Sequence, residues 1–259
     1  MAAADYVEAD IATALRSVGV GAGDLVFSHS NVGFFGRLGD AATSAEFYAV
    51  FKRAIFSVIG DGGTFVVPTF SYSFCDGKPF DVRTTPGQCG MLSECVRQDA
   101  DAVRSTDPNF SVAAVGRLAE TLCRAVGPHP FGPDSFWDRF LKHDGRFVNF
   151  NFDSGTTFMH YVERELQVPY RWDKSFSGQS RVGDAWVEQQ AWHYVFDHAM
   201  AEHFPDFTKL HAVAEADGVL RTANLGRGQI VSVLAADLDG IIRLDLPRRP
   251  DLLIRGAAL

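Results

Sequence analysis

Residues 146–161 read RFVNFNFDSGTTFMHY and run straight into VERE at 162–165. The apolar stretch alternates and ends at Asp153-Ser154-Gly155. After Thr156 and Thr157 the polar–apolar pattern takes a helical period. The segment therefore reads as a strand, a tight turn and a helix start. His160 and Glu163 stand three apart and share one face of that helix. A strand end feeding a helix is a common place to build a site. The plain alternative is a surface histidine beside a helix salt bridge.

Upstream, residues 5–18 (DYVEADIATALRSV) carry an amphipathic helical pattern, closed by Gly19 and Gly21. Residues 24–28 form a short apolar strand that ends in His29-Ser30-Asn31, with Gly33 and Gly36 beyond. Small residues there let backbone N–H groups face a ligand, although a packed strand-end histidine fits His29 equally well. The glycine spacing matches neither a dinucleotide fingerprint nor a phosphate-binding loop. A helix over 45–59 presents Phe47, Val50, Phe51, Ala54, Ile55 and Val58 to a core, with Ser44 as its cap and Glu46 one residue early for a capping box. A strand follows at 64–67. Residues 69–90 form a long aromatic loop, and 91–97 a helix carrying Glu94 and Arg97. Ser111 is expected to cap a helix from Val112 to about Ala125, and Asp134 or Ser135 a short helix with Phe136, Trp137 and Phe140. Downstream of Glu165, residues 167–180 read as irregular. A helix is expected over 192–204, a glycine loop at 221–228, a helix over 229–237, and a late strand over 241–246. No repeat or linker divides the chain. The expectation is a single α/β domain over 1–259 with a central mixed sheet covered by helices.

The chain has 259 residues, 46% of them hydrophobic and 22% charged, within the range of a globular protein. Twenty-two phenylalanines imply a large core or aromatic-lined pockets. A net charge of −8 argues against a nonspecific nucleic-acid binder. There is no apolar run of membrane-spanning length and no apolar signal core in MAAADYVEAD. Cys75, Cys89, Cys95 and Cys123 show neither zinc spacing nor a disulfide scaffold, which fits reduced thiols in a cytoplasmic protein.

Several ordered segments resemble the aminoglycoside 3-N-acetyltransferase family, the antibiotic N-acetyltransferase type. They are HSNVGFFG (29–36), GDGGTFVVPTFSYSF (60–74), CGMLSECVR (89–97), RSTDPNFSVAAVG (104–116), GPDSFWDRFLKHDGRFVNF (132–150), TTFMHYVE (156–163) and LRTANLGRGQIVSVLAADL (220–238). The resemblance implies acetyl transfer from acetyl-CoA, as co-substrate, to a primary amine of an amino sugar, without a metal. The Thr-x-x-His-x-x-Glu segment maps the family's base to His160. The N-terminal loop maps CoA contacts to His29 and Ser30, with Asn31 beside them, and the Ser-Val pair maps to Ser111 and Val112. One departure stands out: where the family carries His-Pro-Thr-x-Ser-Val, this chain has Asp107-Pro108-Asn109-Phe110-Ser111-Val112.

The chemistry fits that expectation. An alkyl ammonium has no lone pair, so it must lose a proton before or during attack on a thioester, and a histidine can take it. The ring must be held in one tautomer by a neighbouring group. Glu163, Glu94 and Asp153 are the candidates. Backbone donors near Ser111 or in the 29–33 loop would stabilise the tetrahedral oxyanion. Arg37, Lys78, Arg83 and Arg104 are candidates for a basic rim toward CoA, and residues 70–85 and 168–193 for the acceptor pocket. Three other readings stand beside this one. Cys75 or Cys89 would serve an acyl-enzyme, and His160 with Glu163 and His29 would serve a metal. A non-catalytic protein binding CoA or a small molecule is the third. A homodimer is expected from the frequency of that state.

Overall fold

The structure, a computed structural model, describes residues 3–39 and 41–256. The chain opens with α1 (Glu8–Ser17), β1 (Leu25–Phe27), α2 (Ser44–Ile59), β2 (Thr64–Pro68), α3 (Met91–Arg97), β3 (Val103–Arg104) and β4 (Val112–Gly116). It continues with α4 (Ala119–Cys123), α5 (Phe136–Lys142), β5 (Arg146–Phe150), α6 (Met159–Glu165), β6 (Arg171–Val182) and β7 (Ala185–Phe196). The last elements are α7 (Thr208–Ala216), β8 (Arg221–Leu225), β9 (Gly228–Leu234) and α8 (Ala235–Asp245).

Seven strands form one mixed sheet in the order β3-β4-β2-β1-β5-β9-β8. β1 pairs in parallel with β2 on one side and β5 on the other. The remaining pairs are antiparallel. Alternation along the strands divides the core. Leu25, Phe27, Val66, Phe147 and Val233 pack against α4–α8. Val26, Phe65, Val67, Val148 and Phe150 pack against α1–α3. The mixed sheet covered on both faces is the architecture expected from the sequence. Because β1 lies between two parallel partners reached in opposite directions, the ends of β1 and β5 open onto one crevice, where α/β sheets tend to hold ligands.

Local signals explain the elements around that crevice. α2 has a complete capping box, but one residue earlier than expected: Thr43, not Ser44, is the cap, and Thr43 and Glu46 exchange backbone–side-chain hydrogen bonds. Phe51, Ala54, Ile55, Val58 and Ile59 are its buried stripe. Gly60 stops the helix at φ +64°, a left-handed conformation that glycine adopts without strain. Ser135 caps α5, its hydroxyl accepting from the Asp138 N–H.

Several expectations are overturned. Residues 112–116 are the buried strand β4, not a helix capped by Ser111. A strand covered on both faces reads as a continuous apolar run, and Ala113-Ala114 gave that run a helical look. Residues 171–182 and 185–196 form a long antiparallel hairpin of twelve residue pairs in place of irregular chain and a helix. The glycine loop at 221–228 is the β8–β9 hairpin with its turn at Gly226-Arg227, and the helix expected over 229–237 is instead strand β9, with α8 starting only at Ala235. Residues 241–246 close α8, where Leu238, Ile241 and Ile242 are buried at helical spacing.

The β6–β7 hairpin lies outside the main sheet and is held by the 69–90 loop. Phe80 bridges Ser180 in parallel: the Phe80 N–H donates to the Gln179 carbonyl, and the Phe80 carbonyl accepts from the Arg181 N–H. Gly178 lets the Phe74 ring approach closely; a Cβ there would sit 2.6 Å from it. The two segments expected to shape an acceptor pocket therefore pack on each other.

Candidate active site

Asn149 builds the turn after β5. It is fully buried on the α6 side of the sheet, so its amide must be paired. Its Nδ2 donates to the carbonyls of Asp153 (2.7 Å) and Gly155 (3.0 Å), and its Oδ1 accepts from the His29 N–H at 3.2 Å. One side chain thereby fixes both the turn leading to α6 and the strand end of β1. His29 Nε2 in turn accepts from the Thr157 N–H at 3.3 Å. Burial lowers the His29 pKa to about 4, so the ring is neutral. Phe152, 45% exposed, lies edge-on to it.

His160 is the second residue of α6, its ring edge-on to Phe131 and near Phe207. Its Nδ1 lies 2.6 Å from Glu163 Oε2. Glu163 is fully buried, and two further groups face it: the Tyr170 hydroxyl donates to Oε1 at 2.9 Å, and Arg171 Nε lies 2.8 Å from Oε2. Burial pushes the Glu163 carboxyl upward, but the hydrogen bonds from His160 and Tyr170 and the charge of Arg171 outweigh it, and the net shift is downward. Burial lowers the His160 pKa, as does the Arg171 charge, against the pull of Glu163. The pair is thus a neutral imidazole on a carboxylate. Nδ1–H donates, and Nε2 keeps its lone pair. Nε2 makes no hydrogen bond among the described residues, and the side chain is 15% exposed. Such a nitrogen is a proton acceptor.

Of the three candidate carboxylates, only Glu163 meets His160. Glu94 is locked to Arg97, Gln98 and the Gly87 N–H, which take its pKa to about 2, chiefly through the Arg97 bond. It also lies on α3, across the sheet from α6. Asp153 closes its own turn by accepting the Gly155 N–H at 2.7 Å.

Around the N-terminal loop, Ser30 and Asn31 continue β1 alongside Phe150, and the Asn31 N–H donates to the Phe150 carbonyl. Ser111 is fully buried, donates to the Thr69 carbonyl and accepts from Arg104 Nε. The Val112 N–H donates to Ser105 Oγ. The expected helix start is absent, since Ser111 leads into strand β4 and the Val112 N–H is taken by Ser105. Arg104 is also buried, donating to the carbonyls of Thr69, Val82 and Thr85, and is no part of an exposed rim. Arg37, Lys78 and Arg83 are exposed.

The alternative chemistries find little support. Burial raises both the Cys75 and Cys89 thiols to about 11, so neither is a ready thiolate, although Cys75 Sγ lies 3.8 Å from His193 Nδ1. His29 and His160 do not converge with Glu163 as ligands, and no group of three metal-binding side chains occurs among the described residues.

Tyr170, Arg171 and Asn149 are the site residues that sequence reasoning missed. A lone Asn in the apolar strand RFVNF was a readable signal, since a buried amide must be paired. Tyr170 and Arg171 carried no local signal, because their role depends on how the hairpin folds back.

The buried histidines set a pH dependence of stability. Burial lowers His29 and His129 to about 4 and His193 to about 3. Between these values and the ordinary 6.5 the unfolded chain binds more protons, so stability is lost as pH falls from 6.5 toward 4. Asp107 acts the other way. Burial raises it to about 6, which favours the folded state as pH falls through that value. Three histidines against one carboxyl leave the first effect dominant. Urea unfolding should show a midpoint that drops steadily from pH 6.5 to 4; a flat midpoint would contradict this.

The fold is that of aminoglycoside acetyltransferases. The structure of AAC-IIIb in binary complex with CoASH matches with a TM-score of 0.80 over 94% of this chain and 97% of that one, at 20% identity. Aminoglycoside acetyltransferase AAC(3)-Xa matches at 0.78, with 24% identity over 90% of each chain. The YokD protein from Bacillus subtilis matches at 0.75, with 16% identity over 93% of this chain and 92% of that one. The sequence narrows the assignment: the model of the aminoglycoside 3-N-acetyltransferase family matches residues 29–242, and the chain belongs to that family. Among curated relatives, aminoglycoside N(3)-acetyltransferase III of Salmonella sp is 29% identical over 184 residues, 62% of each chain. Aminoglycoside N(3)-acetyltransferase IX of Micromonospora chalcea is 25% identical over 178 residues, 60% of each. These matches span less than two thirds of the relatives' length.

Proposed function

We propose that this protein transfers an acetyl group from acetyl-CoA to a primary amine of an amino sugar or related small molecule, with His160 as general base. The observation that carries this reading is the 2.6 Å contact between His160 Nδ1 and the buried Glu163 carboxylate, which leaves Nε2 as the acceptor. The substrate ammonium gives its proton to Nε2 as its nitrogen attacks the thioester carbonyl. The carbon–nitrogen bond forms, the nitrogen gives up its second proton to solvent, the tetrahedral centre collapses with cleavage of the carbon–sulfur bond, and the CoA thiolate leaves. The proton held by His160 is then available to the departing sulfur. Family membership supports the reaction class, and the CoASH complex of the fold relative AAC-IIIb supports CoA as the acyl carrier.

The acceptor site we assign to the packed surfaces of the 70–85 and 168–193 segments. His193, on the hairpin, meets Tyr72, Cys75 and Phe110 there. A cavity of about 280 Å³ alongside is lined by Asp107, Pro108, Gly127, Gln189 and Gln190, and its carboxylate suits a cationic acceptor. The test is CoA release from acetyl-CoA with a panel of 2-deoxystreptamine aminoglycosides, simple amino sugars and amino-sugar nucleotides. Turnover on one class is expected, unchanged by dialysis against EDTA. Tight CoA binding without turnover on any of them would favour a binding protein instead, and absence of CoA binding would overturn the reading.

A further inference from the structure

We propose that Arg171 is a positioning residue of the site: its buried guanidinium holds Glu163 as a carboxylate and thereby holds His160 in the tautomer whose Nε2 is a bare acceptor. The inference rests on the reading of His160 as the base.

The geometry is specific. Glu163 Oε2 meets both His160 Nδ1 (2.6 Å) and Arg171 Nε (2.8 Å), and both Glu163 and Arg171 are shielded from solvent, their side chains 0% and 1% exposed. Arg171 has little else to do. Its Nη1 donates to the Tyr194 carbonyl at 3.2 Å, the Phe196 ring lies 5.0 Å from its Cζ, and Nε and Nη2 make no aligned hydrogen bond. The contact with Glu163 is therefore a charge contact more than a directed bond. The other partners of the carboxylate, Tyr170 and the neutral His160 ring, carry no charge. Other elements facing the pair are apolar, Phe131 and Phe207, or hold a neutral ring, His193 on β7, which burial keeps at about 3. Arg171 is the sole permanent cation in contact with Glu163 among the described residues.

A buried carboxylate with no cation takes up a proton or draws one onto its neighbour. Either outcome disables the base. A protonated Glu163 donates to Nδ1 and moves the ring proton to Nε2; a protonated His160 has no lone pair at all. Arg171 blocks both, since its charge favours the carboxylate and opposes a second cation on the imidazole. It is also the first residue of β6, paired with Phe196 at the base of the β6–β7 hairpin. Correct docking of that hairpin is thus a condition for a competent base.

The test compares wild type, Arg171→Met and Arg171→Lys in two ways: the ¹⁵N shifts of the His160 ring across pH in the free protein, and the pH profile of kcat/KM. In Arg171→Met the signal of a bare Nε2 is expected to vanish at a pH at least about one unit higher than in wild type. Activity lost near neutrality should return as pH rises. Arg171→Lys, which keeps the charge, should stay close to the wild-type titration. An unchanged His160 titration with a uniform rate loss at every pH would reduce Arg171 to a packing role and overturn the proposal. If Arg171→Met does not fold, Arg171→Lys decides: a retained bare Nε2 supports the charge role and its loss contradicts it. Wild type that titrates as described but acetylates no amine would refute the acetyl-transfer reading and leave the role of Arg171 intact.

Discussion

Replacing His160 with alanine lowers kcat/KM for acetyl transfer by about 10²–10⁴-fold, the usual worth of a general base, while acetyl-CoA affinity stays within a few-fold. The ring contributes one thing to the reaction, a lone pair at Nε2 beside a site otherwise lined by Phe131 and Phe207. Without it the ammonium must lose its proton to water. Two signatures follow from that chemistry. Added imidazole restores part of the rate, and so does higher pH, because a larger fraction of the amine is then already neutral. The fold survives, since Glu163 keeps Arg171 and Tyr170 as partners. A loss below about tenfold would place the base elsewhere.

Glu163→Gln has the second large effect, and it acts on stability as well as rate. The amide is close in shape to the carboxylate, but it leaves the Arg171 guanidinium, 1% exposed, without a counter-charge. Removing one partner of a buried ion pair costs about 3–5 kcal/mol. Transfer falls by about 10²-fold or more as His160 loses its fixed tautomer. Urea unfolding of Glu163→Gln, Arg171→Met and the double variant checks the coupling: the double variant should be less destabilised than the sum of the singles. Strict additivity would show that the two residues do not act as a pair.

The residues that carry this chemistry were legible to different degrees. His160 and Glu163 were readable because i,i+3 spacing on a helix is a local fact, and the strand–turn–helix around them follows from alternation and Asp153-Ser154-Gly155. The central strands were readable as short apolar runs. What escaped was set by distant partners. Nothing within 171–196 shows that the two strands pair through twelve residues, and Trp192 and Phe196, four apart, mimic a helical face as well as they fit a strand. Ser111-Val112-Ala113-Ala114 reads as a capped helix until the neighbours of β4 on either side are known. The apolar run at 241–246 fits a strand as well as a helix until the packing of Leu238, Ile241 and Ile242 at helical spacing is seen. Choosing among Glu163, Glu94 and Asp153 also needed the fold, since Glu94 lies across the sheet and Asp153 is used by its own turn.

The most direct test of direct transfer through His160 is to mix the protein with acetyl-CoA and an accepted amine, quench within one turnover, and weigh both acceptor and protein by mass spectrometry. The account predicts the acetyl group on the amine, none on the protein, and neither product in His160→Ala on the same timescale. Acetyl found on Cys75 or another side chain before it reaches the amine, or transfer at an undiminished rate in His160→Ala, would contradict it.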